Sequence, residues 1–281
     1  MFEAICAHLD DAALAVMCRS GSKKAAASAM REAEKRPVFA LVHSAVTMKE
    51  KKKHWIFEEV CETGSLWGVR FLWKSGIGTG NSGLPVACKC GWSEVAEFLI
   101  AKGANNYNRA LVAACKHGRA DMAALMVSKG ADDFNAGMLY ACNGGSRTLA
   151  EMMIRLGAND WNGGLWQACR GGSREVAEFM IECGADNFDW GLDGACGNGH
   201  CGTAELMLQH GASDFDQGLC EAAQWGHINT ALMMISCGAT ALNEAHWEAC
   251  TEGFEKMCEL LVAHGATMCG DGECVAHDFP E

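Results

Sequence analysis

A glycine returns every 27 residues through most of this chain, and that period decides what the chain can fold into. Gly76, Gly103, Gly130, Gly157, Gly184, Gly211, Gly238 and Gly265 form one column. Gly64, Gly91, Gly118, Gly145, Gly172, Gly199, Gly226 and Gly253 form a second, in strict register with the first. A period of roughly 20–50 residues is the mark of stacked supersecondary units, each too small to bury its own apolar surface. The 281-residue length, which alone would allow about two globular domains, is therefore read as one array.

Each unit resolves into two short helices. In the unit running from Asn135 to Gly157, Met138, Ala141 and Cys142 lie at i, i+3 and i+4, one apolar stripe of a helix. Gly145 supplies the left-handed residue that ends it. The second helix carries Leu149, Ala150, Met152, Met153 and Ile154, nearly half its circumference, and Gly157 closes it. Asn135 stands where an N-cap is expected. Its column, Asn81, Asn108, Asn135, Asn162, Asp189, Asp216 and Asn243, contains only side chains that accept from the free N–H groups of a first turn. Stacked pairs of this kind share one core along the array. With helices about 10 Å across, eight units would span on the order of 80 Å.

The 17 cysteines obey the same period. Cys61, Cys88, Cys115, Cys142, Cys169, Cys196 and Cys250 recur in register, and Ala223 fills the gap. A disulfide framework would leave a partner orphaned at Ala223, so buried thiols in a reducing compartment are expected, and with them a cytoplasmic location. The net charge of −12 opposes binding to phosphate backbones, so nucleic acid is not an expected partner. No apolar run reaches the length of a membrane span. Met1-Phe2-Glu3-Ala4 carries no basic n-region, so no secretory signal is expected.

Helix–turn–helix units ending in Gly-Ala resemble the ankyrin repeat. The likeness rests on segments such as Ala195-Cys196-Gly197-Asn198-Gly199-His200 and Ala150-Glu151-Met152-Met153-Ile154 followed by Gly157-Ala158. It implies an all-α, ankyrin-like helical-repeat solenoid of about eight helix–turn–helix units with reduced β-hairpins. The unit is about six residues shorter than the family's usual repeat, and the family's Thr-Pro-Leu-His opening is absent. The missing length falls on the hairpin finger, which leaves the first-helix face for recognition. Short units such as Gly157-Ala158-Asn159-Asp160-Trp161-Asn162-Gly163-Gly164-Leu165 look like those in ankyrin arrays of large DNA viruses, which would place the protein in host cytoplasm. Three segments follow: a divergent N-terminal cap over 1–52, eight repeats over 53–266 and a tail over 267–281.

Columns that hold constant describe the scaffold, and columns that change carry what is individual. From the Leu-x-x-Ala-Cys stripe, the outward positions of each first helix lie one, two and five residues after the leading apolar residue. They supply the expected partner-binding residues: Lys116, Tyr140, Trp166, Gln167, Arg170, Glu221, Trp247 and Glu248. Aromatics and Arg dominate interface energetics. The strip runs from basic in early repeats to acidic in late ones. The expected function is a protein-interaction scaffold, monomeric, with one or more protein partners. The aromatic column Tyr107, Phe134, Trp161, Phe188 and Phe215 would suit base stacking, but it reads more simply as a packing ladder between loops.

No catalytic constellation appears. There is no phosphate loop, no His-Glu-x-x-His helix and no nucleophile elbow, so neither enzyme activity nor a cofactor is expected. His200 and His227, in Gly-His turns, read as side chains bonding neighbouring loops. In the tail, His264, Cys269, Cys274 and His277, with Cys258 nearby, could bind zinc, although the spacing is not a standard one and a capping tail is the plainer reading. Near the N-terminus, Ile5 to Leu14 with Cys18-Arg19 faintly resembles a truncated F-box. That likeness implies an alternative function, a substrate adaptor recruiting a cullin ubiquitin ligase. The run Lys49, Lys51, Lys52 and Lys53 reads as a solvated linker.

Overall fold

The computed structural model describes residues 54–267, with the side chain of His54 excepted. The N-terminal cap, its F-box-like segment, the lysine run and the tail from 268 onward lie outside the described residues. Among the described residues every regular element is a helix and no strand is present. The chain divides into two compact units between Asp132 and Asp133. The first contains α1 (His54–Glu62), α2 (Leu66–Lys74), α3 (Gly80–Cys90), α4 (Ser93–Ala101), α5 (Tyr107–Lys116) and α6 (Ala120–Ser128). The second contains α7 (Phe134–Asn143), α8 (Arg147–Arg155), α9 (Trp161–Arg170), α10 (Arg174–Glu182), α11 (Phe188–Cys196), α12 (Cys201–Gln209), α13 (Phe215–Gln224), α14 (Ile228–Cys237), α15 (Leu242–Thr251) and α16 (Glu255–Ala263).

Within each unit, helix pairs repeat. The first helix of a pair packs on its own second helix and on the first helix of the next pair, as α9 does on α10 and α11. Second helices pack on second helices, as α10 does on α12. The turns follow from the glycine columns. Gly145 has φ 71°; its N–H donates to Cys142 O at 3.1 Å, and the Ser146 N–H donates to Ala141 O at 2.9 Å. This doubly bonded C-terminus needs a left-handed residue, which glycine adopts without a Cβ clash. The second helix ends the same way, with the Ala158 N–H on Met153 O at 3.0 Å. Ala158 is buried there, as is the alanine that follows the glycine in every pair from Gly103 onward; Ile77 takes that buried place after Gly76.

Packing fixes the other glycine column a second time. A Cβ on Gly172 would lie 2.6 Å from His200 Nδ1, and one on Gly199 would lie 2.7 Å from His227 Nδ1. At these turns the residue after the glycine rests on the turn of the preceding pair. His200 and His227 play this part, and Phe254 does the same over Gly226.

The core of a pair is narrow and built from small side chains. Met138, Ala141, Cys142, Leu149, Ala150 and Met153 are buried, while Met152 and Ile154 only flank it. A Cβ on Gly164 would meet Met180 Sδ at 2.7 Å and Cys142 Sγ at 3.5 Å, so the thiol of one pair lies over the first helix of the next. Burial pushes the thiols of Cys142, Cys169 and Cys196 up to about 12. They stay protonated and pack as small apolar groups.

The Asn/Asp column is not the N-cap. Helices begin at the aromatic, and the caps are the residues just before it. Asp133 accepts from the Ala136 N–H at 3.1 Å and Asp160 from the Gly163 N–H at 3.0 Å. Asn135 sits one residue inside the helix and reaches to the next pair. Its Oδ1 accepts from the N–H groups of Asn159 at 2.8 Å and Asp160 at 3.2 Å. Asn162 holds Asp186 and Asn187 in the same way, at 2.9 and 3.0 Å, and Asp189 holds Ser213 and Asp214, at 2.6 and 3.0 Å. The column clamps one pair to the next. The aromatic beside it packs on the far end of its own pair: Phe188 lies 5.2 Å from His210, ring to ring.

Candidate functional site

On the outer face of the first helices in the second unit is a pocket of about 390 Å³, lined by α9, α11, α13 and their turns. Two glycines open it. Gly194 and Gly197 occupy outward positions that carry larger side chains in most other pairs. A Cβ on Gly194 would lie 2.9 Å from the Trp166 ring, and one on Gly197 would lie 3.2 Å from Glu221 Oε2. The Trp166 indole fills the space and forms one wall. It stacks on Trp190 with centroids 5.5 Å apart and planes 16° from parallel. The Arg170 guanidinium lies over it, 5.2 Å from the ring centroid. This sandwich has the geometry of offset stacking and cation–π attraction. Trp225, 58% exposed, forms the opposite wall.

Two carboxylates face into the space. Burial raises the Asp193 carboxyl above its ordinary value, and Asp214 nearby adds to the rise. The Gln217 amide and the Trp166 indole act the other way. Trp166 Nε1 is buried and makes no hydrogen bond of normal geometry among the described residues, although it is near enough to favour the ionised Asp193. Burial also raises Glu221, helped by the charges of Asp193 and Glu248 and opposed by Gln217 and Trp225. Gln217 Nε2 donates to Glu221 Oε1 at 3.2 Å. Two partly desolvated acids beside each other are a region where a cation would be stabilised.

Of the residues expected from sequence, the pocket brings together Trp166, Arg170 and Glu221. Gln167 lies outside the lining and accepts at Oε1 from Asn143 Nδ2 at 3.1 Å. Tyr140 and Glu248 stand on α7 and α15, and Trp247 on α15 is 60% exposed. Lys116 ends α5, in the first unit, and is exposed. Trp166 was expected to be an outward anchor; it is half-buried because Trp190 covers one face. Asp193 and Trp225 complete the lining, and Trp190 braces Trp166 from outside it; of the three only Asp193 lay in the outward columns read from sequence. Trp190 and Trp225 stand two residues before and six after their leading leucines, so the outward face is wider than three positions. Trp225 is the lone tryptophan in a column that otherwise changes from pair to pair, and Trp190 shares its column only with Trp55 among tryptophans.

Among the described residues, the site and the scaffold together define an all-α helical-repeat architecture with a pocketed first-helix face. No family model matches the sequence, and no curated protein matches it. Among solved structures it is similar to the crystal structure of human ASB11 ankyrin repeat domain. That likeness has 23% identity and a TM-score of 0.45, and it covers 63% of this chain and 96% of that one.

Proposed function

We propose that this chain is a protein-binding module made of eight ankyrin-like pairs of 27 residues, without catalytic activity, whose first-helix face takes a protein partner. The observation that carries the reading is the pocket. Trp166, braced by Trp190, exposed Trp225, and the raised carboxyls of Asp193 and Glu221 offer aromatic walls and negative charge to one side chain. A basic side chain of the partner fits this chemistry, its alkyl stem against indole and its charge against the acids. Tyr140, Gln167, Trp247 and Glu248 extend the contact along the first helices of the second unit, and Lys116, on a first helix of the first unit, is assigned to partner binding by itself.

The net charge and the pocket acids both favour a protein partner over nucleic acid. Among the described residues no helix is long and apolar enough to cross a membrane. Thiols buried in most of the pairs support a reducing compartment, the cytoplasm, and a monomeric module needs no second copy to complete the pocket.

A peptide array with basic, neutral and acidic members tests the reading. The wild-type chain should retain Lys- or Arg-containing peptides, and Glu221→Gln with Asp193→Asn should abolish that preference. Equal retention of acidic and basic peptides by the wild type would sink the proposal.

A further inference from the structure

The last described helix pair departs from the others at two core positions, and both departures meet at a cysteine. In six earlier pairs the leading apolar position of the first helix is Leu84, Leu111, Met138, Leu165, Leu192 or Leu219. In α15 it is His246, 1% exposed. The matching position of the second helix is Ala96, Ala123, Ala150, Ala177, Ala204 or Ala231. In α16 it is Cys258, which is also buried. Between them stands Cys250, a member of the constant cysteine column. His246 and Cys250 are four residues apart on one helix and share a face; Cys258 reaches them from the other helix.

The ligating atoms converge. Cys250 Sγ lies 3.2 Å from Cys258 Sγ, and 3.7 and 3.8 Å from His246 Nε2 and Nδ1. The three residues place their donor atoms within 4.8 Å of one another. A tetrahedral ion with metal–sulfur bonds of about 2.3 Å and a metal–nitrogen bond of about 2.0 Å separates its sulfurs by about 3.8 Å, and sulfur from nitrogen by about 3.5 Å. The Cys250–His246 spacings of 3.7 and 3.8 Å lie close to this, and the two sulfurs, 3.2 Å apart, have to separate by about 0.6 Å to admit the ion. The paired substitution of leucine by histidine and alanine by cysteine, at positions that meet the same thiol, replaces two apolar groups with a donor set.

We propose that His246, Cys250 and Cys258 form a metal site for a borderline-to-soft divalent cation of the zinc type. Thiolate and imidazole suit zinc, while calcium and magnesium require oxygen donors. Binding one ion to two thiols and a neutral imidazole releases two protons, and the fourth position is taken by water or a further donor. The bound ion ties α15 to α16 and closes the terminal pair. This site is independent of the first-helix pocket.

The test uses the full chain, reduced, stripped with chelator and titrated with zinc, and with cobalt(II) as the spectroscopic probe. Wild type should bind one equivalent at this site, show thiolate charge transfer and intense tetrahedral visible bands with cobalt, and melt at higher temperature with zinc. His246→Leu and Cys258→Ala restore residues that other pairs carry, so both should fold. Each should weaken binding at least about 100-fold, since even a partner behind a ligand costs 10–100-fold, and should lose the zinc-dependent rise in melting temperature. Wild-type affinity in either variant would overturn the proposal and place the ion on other cysteines. So would no stoichiometric binding by the wild type, a cobalt spectrum without thiolate charge transfer, or a Cys250–Cys258 disulfide in its place.

Discussion

The seam between successive pairs and the outer face of the first helices are built from the same helices by opposite rules. At the seam, residues repeat: Cys142 and Cys169 lie in one column, Ala150 and Ala177 in another, and Asn135 and Asn162 make the same clamp. On the outer face the same columns change from Tyr140 to Gln167 to Gly194 to Glu221. Stability in a repeat protein sums over units and their interfaces, so the seam tolerates little variation. Most of the outer face lies outside that buried core and is free to become specific. The pocket arises where two such columns happen to be glycine.

The comparison breaks most easily at the seam. Met153→Ala removes a fully buried side chain and leaves a cavity, which should cost about 2–5 kcal/mol in chemical denaturation. A change below about 1 kcal/mol would mean that the pair does not pack as described. Asn162→Ala should cost about 1–2 kcal/mol by losing both clamp bonds to Asp186 and Asn187. Asn162→Asp should be nearly neutral, since Asp189 and Asp216 make the same clamp. Trp166→Ala lies between the two regions. Loss of its stack on Trp190 should cost about 0.5–1.5 kcal/mol beyond the area exposed.

The period, the helix pairs and the buried stripes were legible in the sequence because one chain with many repeats supplies its own internal comparison. The clamp was not. Asn135 and Asp133 are both good capping types two residues apart, and only the partner 24 residues on, Asn159, tells clamp from cap. The site was legible in part. Trp166, Arg170 and Glu221 came from counting helical positions, whereas the Trp166–Trp190 stack depends on how neighbouring helices are set side by side. The importance of Gly194 and Gly197 was hidden for a related reason, since a pocket is read from what is missing.

A smaller effect separates the acids of the outer face from the thiols of the seam. The Asp193 carboxyl is raised, so the folded protein holds that proton more tightly than the unfolded chain. The associated stability is full below the ordinary carboxylate range and is lost as pH rises through the folded-state value. Asp193→Asn should therefore stabilise the folded protein at neutral pH, by an amount on the order of 0.5 kcal/mol or less. The gain should vanish as the pH falls through the carboxylate range. A gain that persists in acid would show that the carboxylate is not penalised by burial.

The most direct measurement compares partner affinity for two doubly substituted chains. Trp225 is 58% exposed, so Trp225→Ala with Glu221→Gln should change stability by no more than about 0.5 kcal/mol. Truncating a central aromatic typically costs about 2 kcal/mol in binding, roughly 30-fold. Arg155→Ala with Glu178→Ala alters exposed residues of second helices and should leave both stability and affinity unchanged. The account predicts that the first pair of substitutions weakens the partner about 30-fold or more while the second does not. The reverse pattern, with affinity lost on the second-helix side and kept at the pocket, would contradict it.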